Sequence, residues 1–185
     1  MAPKPLPFLY LSLLLLLQLH FSAAQDVVKA AYWYSGSGFP LSNVDSSLFT
    51  HLFYAFADLN SQTNQVVVSP SNVASFSNIT RIVRLKNPSV KTLLSIGGDD
   101  GPLATFAAMA NQSSSRATFI NSSIKLARSY GFHGLDLDWE KLNKTSEIIS
   151  LASFLDEWRA AVVTEARNSG MTPLILTAAF PFTRV

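Results

Sequence analysis

The chain has 185 residues, a formal net charge of +2 and no cysteine. Without cysteine it cannot be a small scaffold held together by disulfides, so its stability must come from a buried core. Basic residues form no stripe or run along the sequence, which argues against nucleic acid as a partner.

The N-terminal segment has the pattern of a secretory signal peptide. Lys4 supplies a positive start, residues 8–19 are apolar except for Ser12 and Gln18, and small residues follow at 22–24. The apolar run is shorter than the about 20 residues that a membrane-spanning helix needs. We therefore predict that residues 1–24 are removed, that residues 25–185 form the folded domain, and that the mature protein has no membrane association.

Beyond this segment, apolar runs alternate with stretches of helical periodicity. We predict strands over 27–34, 51–59, 90–96, 135–140 and 174–180, and helices over 73–85, 103–110, 116–130 and 146–168. Only one short helix, over 44–49, fits between the first two strands. Strands that alternate with helices indicate βαβ units and a parallel sheet, and hence the α/β class.

Two architectures are compatible with this pattern. An open five-stranded sheet would be a complete small domain. A (β/α)8 TIM barrel needs about 250 residues, so this chain would hold about the first five of its β/α repeats.

The segment 134–140 carries three acids at alternate positions, Asp136, Asp138 and Glu140. Because a strand sends successive side chains to opposite faces, these acids share one face. Like charges repel one another and are costly to desolvate, so a core strand has no structural need for them. The pattern indicates acid–base chemistry or a metal site for calcium or magnesium, although no further acid or asparagine cluster lies beside it.

Further candidate groups lie near the C-terminal ends of the predicted strands, the edge where barrel enzymes place their sites. These are Tyr32, Tyr34, Phe56, Asp58, Ser95 and Gly97. Alternation predicts that Tyr54, Phe56 and Asp58 share the face of the acids. Taken alone, Tyr32 and Phe56 fit core aromatics better, and Ser95 fits a small residue at a tight turn.

Four tripeptides match the N-glycosylation pattern, at Asn78, Asn111, Asn121 and Asn143. Such tripeptides also arise by chance in chains rich in serine and asparagine. Behind a signal peptide, we expect them to be candidates for glycan attachment.

Two motifs, in order along the chain, resemble those of family-18 glycoside hydrolases. The segment 134–140 resembles that family's Gly-x-Asp-x-Asp-x-Glu strand, and the segment 95–98, Ser-Ile-Gly-Gly, resembles its third-strand motif. The segments 31–33, 50–53, 56–59 and 130–133 resemble plant class V chitinases in detail. The resemblance covers residues 27–180 and favours the barrel, incomplete here.

The resemblance implies a secreted chitinase. It would cleave β-1,4 bonds between N-acetylglucosamine units, bind chitin or its oligosaccharides, need no cofactor and act as a monomer. Its location would be extracellular, in the apoplast or cell wall, or vacuolar.

The resemblance also implies a substrate-assisted retaining mechanism. Glu140 would protonate the glycosidic oxygen and later activate water, while the sugar's own N-acetyl carbonyl attacks its anomeric carbon. Asp138 would hold the acetamido N–H, and Asp136 would share a proton with Asp138 because the two carboxylates couple strongly. Ser95 would donate a hydrogen bond to Asp136.

The remaining site residues follow from the same resemblance. Tyr32 and Phe56 match positions that line the −1 sugar pocket, where aromatic rings suit the flat faces of N-acetylglucosamine. Ser95 and Gly97 complete the predicted substrate-binding set.

The chain departs from the family pattern directly after Glu140. Lys141 and Leu142 stand where the family usually has tyrosine, often followed by proline. A lysine there would lower the pKa of Glu140 and weaken it as an acid. Residues that the family's sixth and eighth strands supply would lie beyond Val185, so we expect little or no activity from this chain alone.

Two alternatives to a chitinase stay open. A chitinase-like lectin would bind chitin oligosaccharides without cleaving them; Glu140 argues against it, since such lectins commonly lose that acid, and Lys141 argues mildly for it. The other alternative is a receptor ectodomain or a non-functional truncated product.

Overall fold

The structure is a computed structural model that describes residues 27–98, 103–139, 142 and 144–179. The predicted signal peptide over residues 1–24 lies outside these residues and stays a prediction. Within them, no helix combines the length and the apolarity that crossing a bilayer requires.

Five parallel strands form one sheet, in the order in which they occur along the chain. They are β1 (Ala30–Tyr34), β2 (His51–Leu59), β4 (Lys91–Gly97), β5 (Gly134–Asp138) and β6 (Ile175–Ala179). A two-residue strand, β3 (Val66–Val67), pairs antiparallel with the end of β2. The five parallel strands confirm the predicted α/β pattern. The sequence analysis does not contain β3, because two residues are too few to show an alternating pattern.

Four helices follow the strands. They are α1 (Val73–Lys86), α2 (Leu103–Asn111), α3 (Ser113–Ser129) and α4 (Thr145–Ser169). Each begins and ends within about three residues of its predicted position. The predicted helix over 44–49 contains only a single turn of 3-10 helix, Ser46–Leu48. Gly170 ends α4 with a φ of 69°, the left-handed conformation that glycine adopts at little cost.

The hydrophobic core lies between the helices and one face of the sheet. Its centre is aromatic: Trp158 of α4 stacks on Phe154 at 5.1 Å between ring centroids and meets the edge of Phe119 at 5.5 Å. The indole Nε1 of Trp158 donates to Ser123 Oγ at 3.1 Å, which satisfies a buried donor. This packing fixes α3 against α4.

We call the opposite side of the sheet the inner face. It carries Phe53, Leu93, Ser95, Gly134, Asp136 and Thr177. Gly134 is needed there, because a Cβ at this position would lie 2.6 Å from Ile175 O and 2.9 Å from Leu93 Cγ. The motif that carries the acids therefore begins with a glycine for a steric reason.

The prediction for Tyr54 is wrong: its side chain lies on the helical side of the sheet. It is fully buried and packs on Phe76, with 4.1 Å between ring centroids. The pairing of β2 with β4 shifts register between Tyr54 and Ala57, so β2 contains an extra residue there. This bulge breaks the alternation and returns Phe56, whose peptide bond with Ala55 is cis, to the inner face beside Gly98.

His133 joins the starts of β4 and β5. Its Nδ1 accepts a hydrogen bond from the main-chain N–H of Thr92 at 3.1 Å. Partial burial and the positive charges of Lys91 and Arg84 hold the pKa of His133 below its ordinary value. Protonation of Nδ1 would break the bond to Thr92, because both groups would then be donors.

We expect the free energy of unfolding to decrease as the pH falls below about 6.5. Between the pKa of His133 in the unfolded chain and its lower pKa in the folded chain, only the unfolded chain binds the proton. His133→Gln should flatten this dependence, since an amide oxygen accepts from Thr92 without titrating. Urea unfolding at several pH values between about 5 and 7.5 measures the effect.

His51 is the matched control for this prediction, because burial and Lys91 lower its pKa too. His51→Gln should remove its own part of the slope and leave the part due to His133. A wild-type chain that becomes more stable as the pH falls through this window would contradict the prediction.

Candidate active site

Asp136 is the centre of a hydrogen-bond network on the inner face, and only 1% of its surface is exposed. Its Oδ2 accepts from Ser95 Oγ at 2.7 Å and from Tyr32 Oη at 3.0 Å, and its Oδ1 accepts from Thr177 Oγ1 at 2.6 Å. The predicted bond from Ser95 is therefore present. The donors come from β1, β4 and β6, so this carboxyl group links strands across the whole sheet.

Strand register explains two of these contacts. Ser95, Asp136 and Thr177 are direct neighbours on β4, β5 and β6, so their side chains leave the sheet on the same side and at the same level. Tyr32 lies level with Gly134, which is two residues before Asp136 on β5. Its long side chain reaches toward the C-terminal end of the sheet to Asp136. The ring of Tyr32 stacks on Phe53 with 4.6 Å between centroids, which holds it in this direction.

Asp138 lies two residues nearer to the C-terminal end of β5 than Asp136 does, and it is 8% exposed. Its neighbour on β4 is Gly97, whose φ is 121° and whose backbone lies so close to the Asp138 carbonyl that a Cβ would overlap it. The N–H of Gly98 donates to that carbonyl at 3.0 Å. In the segment 95–98, the serine therefore holds the side chain of Asp136 and the glycines hold the main chain of Asp138.

Aromatic side chains lie next to the two acids, toward the C-terminal ends of β1 and β2. Tyr34 lies 6.2 Å from Phe56 between ring centroids, and Phe56 packs against Gly98. Tyr32 is 49% exposed although its hydroxyl reaches the buried Asp136. Asp58 lies further along β2 and is exposed. This part of the site can present flat apolar surfaces to a ligand next to carboxyl groups.

The structure brings together Tyr32, Ser95, Gly97, Asp136 and Asp138, with Phe56 on the same face. Glu140, Lys141 and the sequon asparagine Asn143 lie outside the described residues, so Glu140 keeps its predicted role as a prediction only. Among the described residues no group of three or more histidine or acidic side chains could hold a metal ion. The alternative of a metal site includes Glu140, which lies outside the described residues, so it stays a hypothesis.

Thr177 is the residue of this network that the sequence analysis missed. The sequence gives little indication of this role for Thr177. It is the only hydroxyl residue in β6, and the sequence of a single strand does not show which face of the sheet the residue occupies. Only the pairing of β5 with β6 places it beside Asp136.

The predicted glycosylation sites differ in surroundings. Asn111 is exposed at the end of α2, next to an extended residue, Gln112. Asn121 is exposed in the middle of α3. Asn78 is half-buried in α1, where its Nδ2 donates to Ala74 O at 2.9 Å.

A sequence profile described as Glycosyl hydrolases family 18 matches residues 28–184 of the chain. A class V chitinase from Arabidopsis thaliana is 55% identical over 179 residues, which cover 97% of this chain and 47% of that protein.

Solved structures match as well. A crystal structure of a class V chitinase mutant from Nicotiana tobaccum in complex with NAG4 matches with a TM-score of 0.80 and 54% identity over 82% of this chain and 43% of that one. A chitinase-like agglutinin from Robinia pseudoacacia matches with a TM-score of 0.82 and 55% identity over 83% of this chain and 46% of that one. The chain thus spans about half the length of the relatives it matches.

Proposed function

Because the chain belongs to family 18 of the glycosyl hydrolases, we propose that the protein hydrolyses the β-1,4 bonds between N-acetylglucosamine units of chitin or its oligosaccharides. The observation that carries this proposal is Asp136, buried under three hydroxyl donors and followed on the same strand by Asp138 and then, in sequence, by Glu140. The relative from Nicotiana tobaccum was crystallised with NAG4, which supports this class of substrate.

The hydrogen bonds to Asp136 suggest where this residue holds the proton that it shares with Asp138. An ionised carboxyl group offers about four lone-pair sites. Two hydroxyls occupy Oδ2 and one occupies Oδ1, so one site remains on Oδ1. In our proposal this site takes the proton that Asp136 shares with Asp138.

Asp138 has two roles in the proposed reaction. Asp138 binds the acetamido N–H of the −1 sugar, which aims the acetamido carbonyl at the anomeric carbon. As that oxygen attacks, Glu140 gives its proton to the leaving glycosidic oxygen, and a positive oxazolinium ion forms on the sugar. Negative charge on the Asp136–Asp138 pair stabilises this ion, and Glu140 then removes a proton from the water that opens it.

The aromatic border supports a sugar ligand. Tyr32 and Tyr34 are about half exposed next to the acids, and Phe56 is half-buried beside Tyr34; aromatic rings pack well on the apolar faces of N-acetylglucosamine. Tyr32 contributes both a ring face and the hydrogen bond to Asp136. We propose that this residue couples the position of the sugar to the buried acid.

A specific observation favours a second candidate, a chitin-binding lectin. The agglutinin from Robinia pseudoacacia is as similar to this chain as the chitinase from Nicotiana tobaccum is, in both identity and TM-score. Overall likeness therefore does not separate cleavage from binding. The presence of Glu140 favours cleavage, because the proposed reaction needs an acid at that place.

Turnover separates the two candidates. We expect a form of the protein that spans the full length of its relatives to release the chromophore from a chromogenic chitotriose. Binding of the oligosaccharide, measured by calorimetry on the same sample, serves as the control. Binding without release above the uncatalysed rate would reject the enzyme and support the lectin.

We also propose that the protein is secreted and acts as a monomer. The apolar segment after Lys4 supports secretion, and the exposure of Asn111 and Asn121 is compatible with glycan attachment after entry into the secretory pathway.

A further inference from the structure

A cavity lies at the N-terminal end of the sheet, opposite the end that carries the acids. It has a volume of about 470 Å³ and adjoins the N-terminal ends of β4, β5 and β6. Lys91, Arg128 and His133 line it, together with the segment between α4 and β6. The proposed reaction uses none of these residues.

His133, which lines this cavity, carries a hydrogen-bond donor on its ring. Its Nδ1 accepts from the N–H of Thr92 and lies 3.1 Å from Thr92 Oγ1, which in turn lies 2.8 Å from Thr80 Oγ1. A main-chain N–H can only donate, so Nδ1 carries no proton, and the neutral ring must carry its proton on Nε2. No described residue accepts a hydrogen bond from that Nε2–H.

Two positive side chains accompany this donor. Lys91 makes no ion pair with any described residue. Arg128 pairs through Nε and Nη2 with Glu165, and its Nη2 also donates to the Thr172 carbonyl. Its Nη1 is left without a bonded partner in the described part of the chain. Glu165 itself does not line the cavity.

The charged groups that act on His133 are all positive. Lys91, Arg84 and His51 all act on His133, and each of them lowers its pKa. No described acid acts on it in the opposite direction. Glu165 balances the charge of Arg128, whereas Lys91 has no counter-charge among the described residues, and an anion in the cavity would supply one.

We propose that this cavity binds a small oxyanion, a molecule with phosphate or carboxylate groups, through Lys91, Arg128 and the Nε2–H of His133. Lys91, Arg128 and His133 each bring a hydrogen-bond donor to the cavity wall, which favours a ligand made of acceptors. The volume lies within the range of small-molecule sites, about 300 to 1,000 Å³. This site is separate from chitin cleavage, so either proposal can fail without the other.

The test follows the histidine side-chain nitrogens by NMR while inorganic phosphate, and in a second series citrate, is added at constant ionic strength. We expect a saturable shift of the His133 signals with at least one of the two probes and a matching rise in Tm. The probe that binds more tightly identifies phosphate or carboxylate as the preferred group. His51, which does not line the cavity, should shift much less.

Two lysine variants make the test specific. Lys91→Gln should weaken the binding by about tenfold or more, as expected for the loss of one hydrogen bond to a charged group. Lys125→Gln, an equal charge change at an exposed position of α3, should bind like the wild type. The absence of a saturable shift with both probes, or an equal loss in the two variants, would overturn the proposal.

Discussion

Glu140→Gln is expected to reduce hydrolysis of a chromogenic chitotriose by about 10²- to 10⁴-fold, the range for removing a general acid. Glutamine has nearly the shape of glutamic acid but no proton to give to the leaving oxygen. Binding of the oligosaccharide should be retained, because the aromatic border and Asp138 are unchanged. The measurement is kcat in the full-length form, with Kd from calorimetry on the same variant.

Glu147→Gln is a matched control for this experiment. Glu147 lies in the first turn of α4, and its substitution makes the same chemical change at a residue to which the proposed reaction assigns no role. It should leave kcat unchanged. Equal turnover by the wild type and Glu140→Gln would show that another group supplies the proton, and the assignment of Glu140 would be wrong.

Asp136→Ala is expected to lower the free energy of unfolding by about 2 to 4 kcal/mol. Three hydroxyl groups, on Tyr32, Ser95 and Thr177, would lose their acceptor at once. Ser95 is fully buried and could not turn to water for a replacement. Urea unfolding of the variant and the wild type measures the difference.

Two further variants serve as comparisons for Asp136→Ala. Asp156→Ala removes an exposed acid from α4 and should change the stability by much less than the variant at Asp136. Asp136→Asn keeps the shape and one acceptor oxygen, so it should unfold less easily than Asp136→Ala but still lose activity, because an amide cannot share the proton. If Asp136→Ala were as stable as Asp156→Ala, the network would contribute nothing to the fold.

The elements of the fold could be predicted because their signals are local. The long helix α4, for example, shows its apolar face within its own sequence and ends at Gly170. The parallel direction of the strands also followed from the alternation of strands and helices, whereas the barrel followed from the resemblance to the family. The barrel prediction is confirmed by the match to solved chitinases, over the part of such a barrel that this chain covers.

Tyr54 and Thr177 show where local reasoning fails. The pattern of β2 predicts strict alternation, but a bulge places Tyr54 in the core and Phe56 on the inner face. A bulge depends on how β2 pairs with β4, and the partner strand lies far away in sequence. Thr177 likewise became part of the site only through the register of β5 with β6.

The sequence by itself determined the spacing of the acids, the glycines around them and the family. Alternation along a single strand is a property of the backbone, so Asp136 and Asp138 had to share a face wherever β5 was placed. The tertiary structure alone decided that Tyr32 and Thr177 join Ser95 as donors to Asp136, and that Lys91, Arg128 and His133 meet at the other end of the sheet. These contacts join residues from different strands and helices, and their distances depend on strand register and helix packing, which local sequence patterns do not encode.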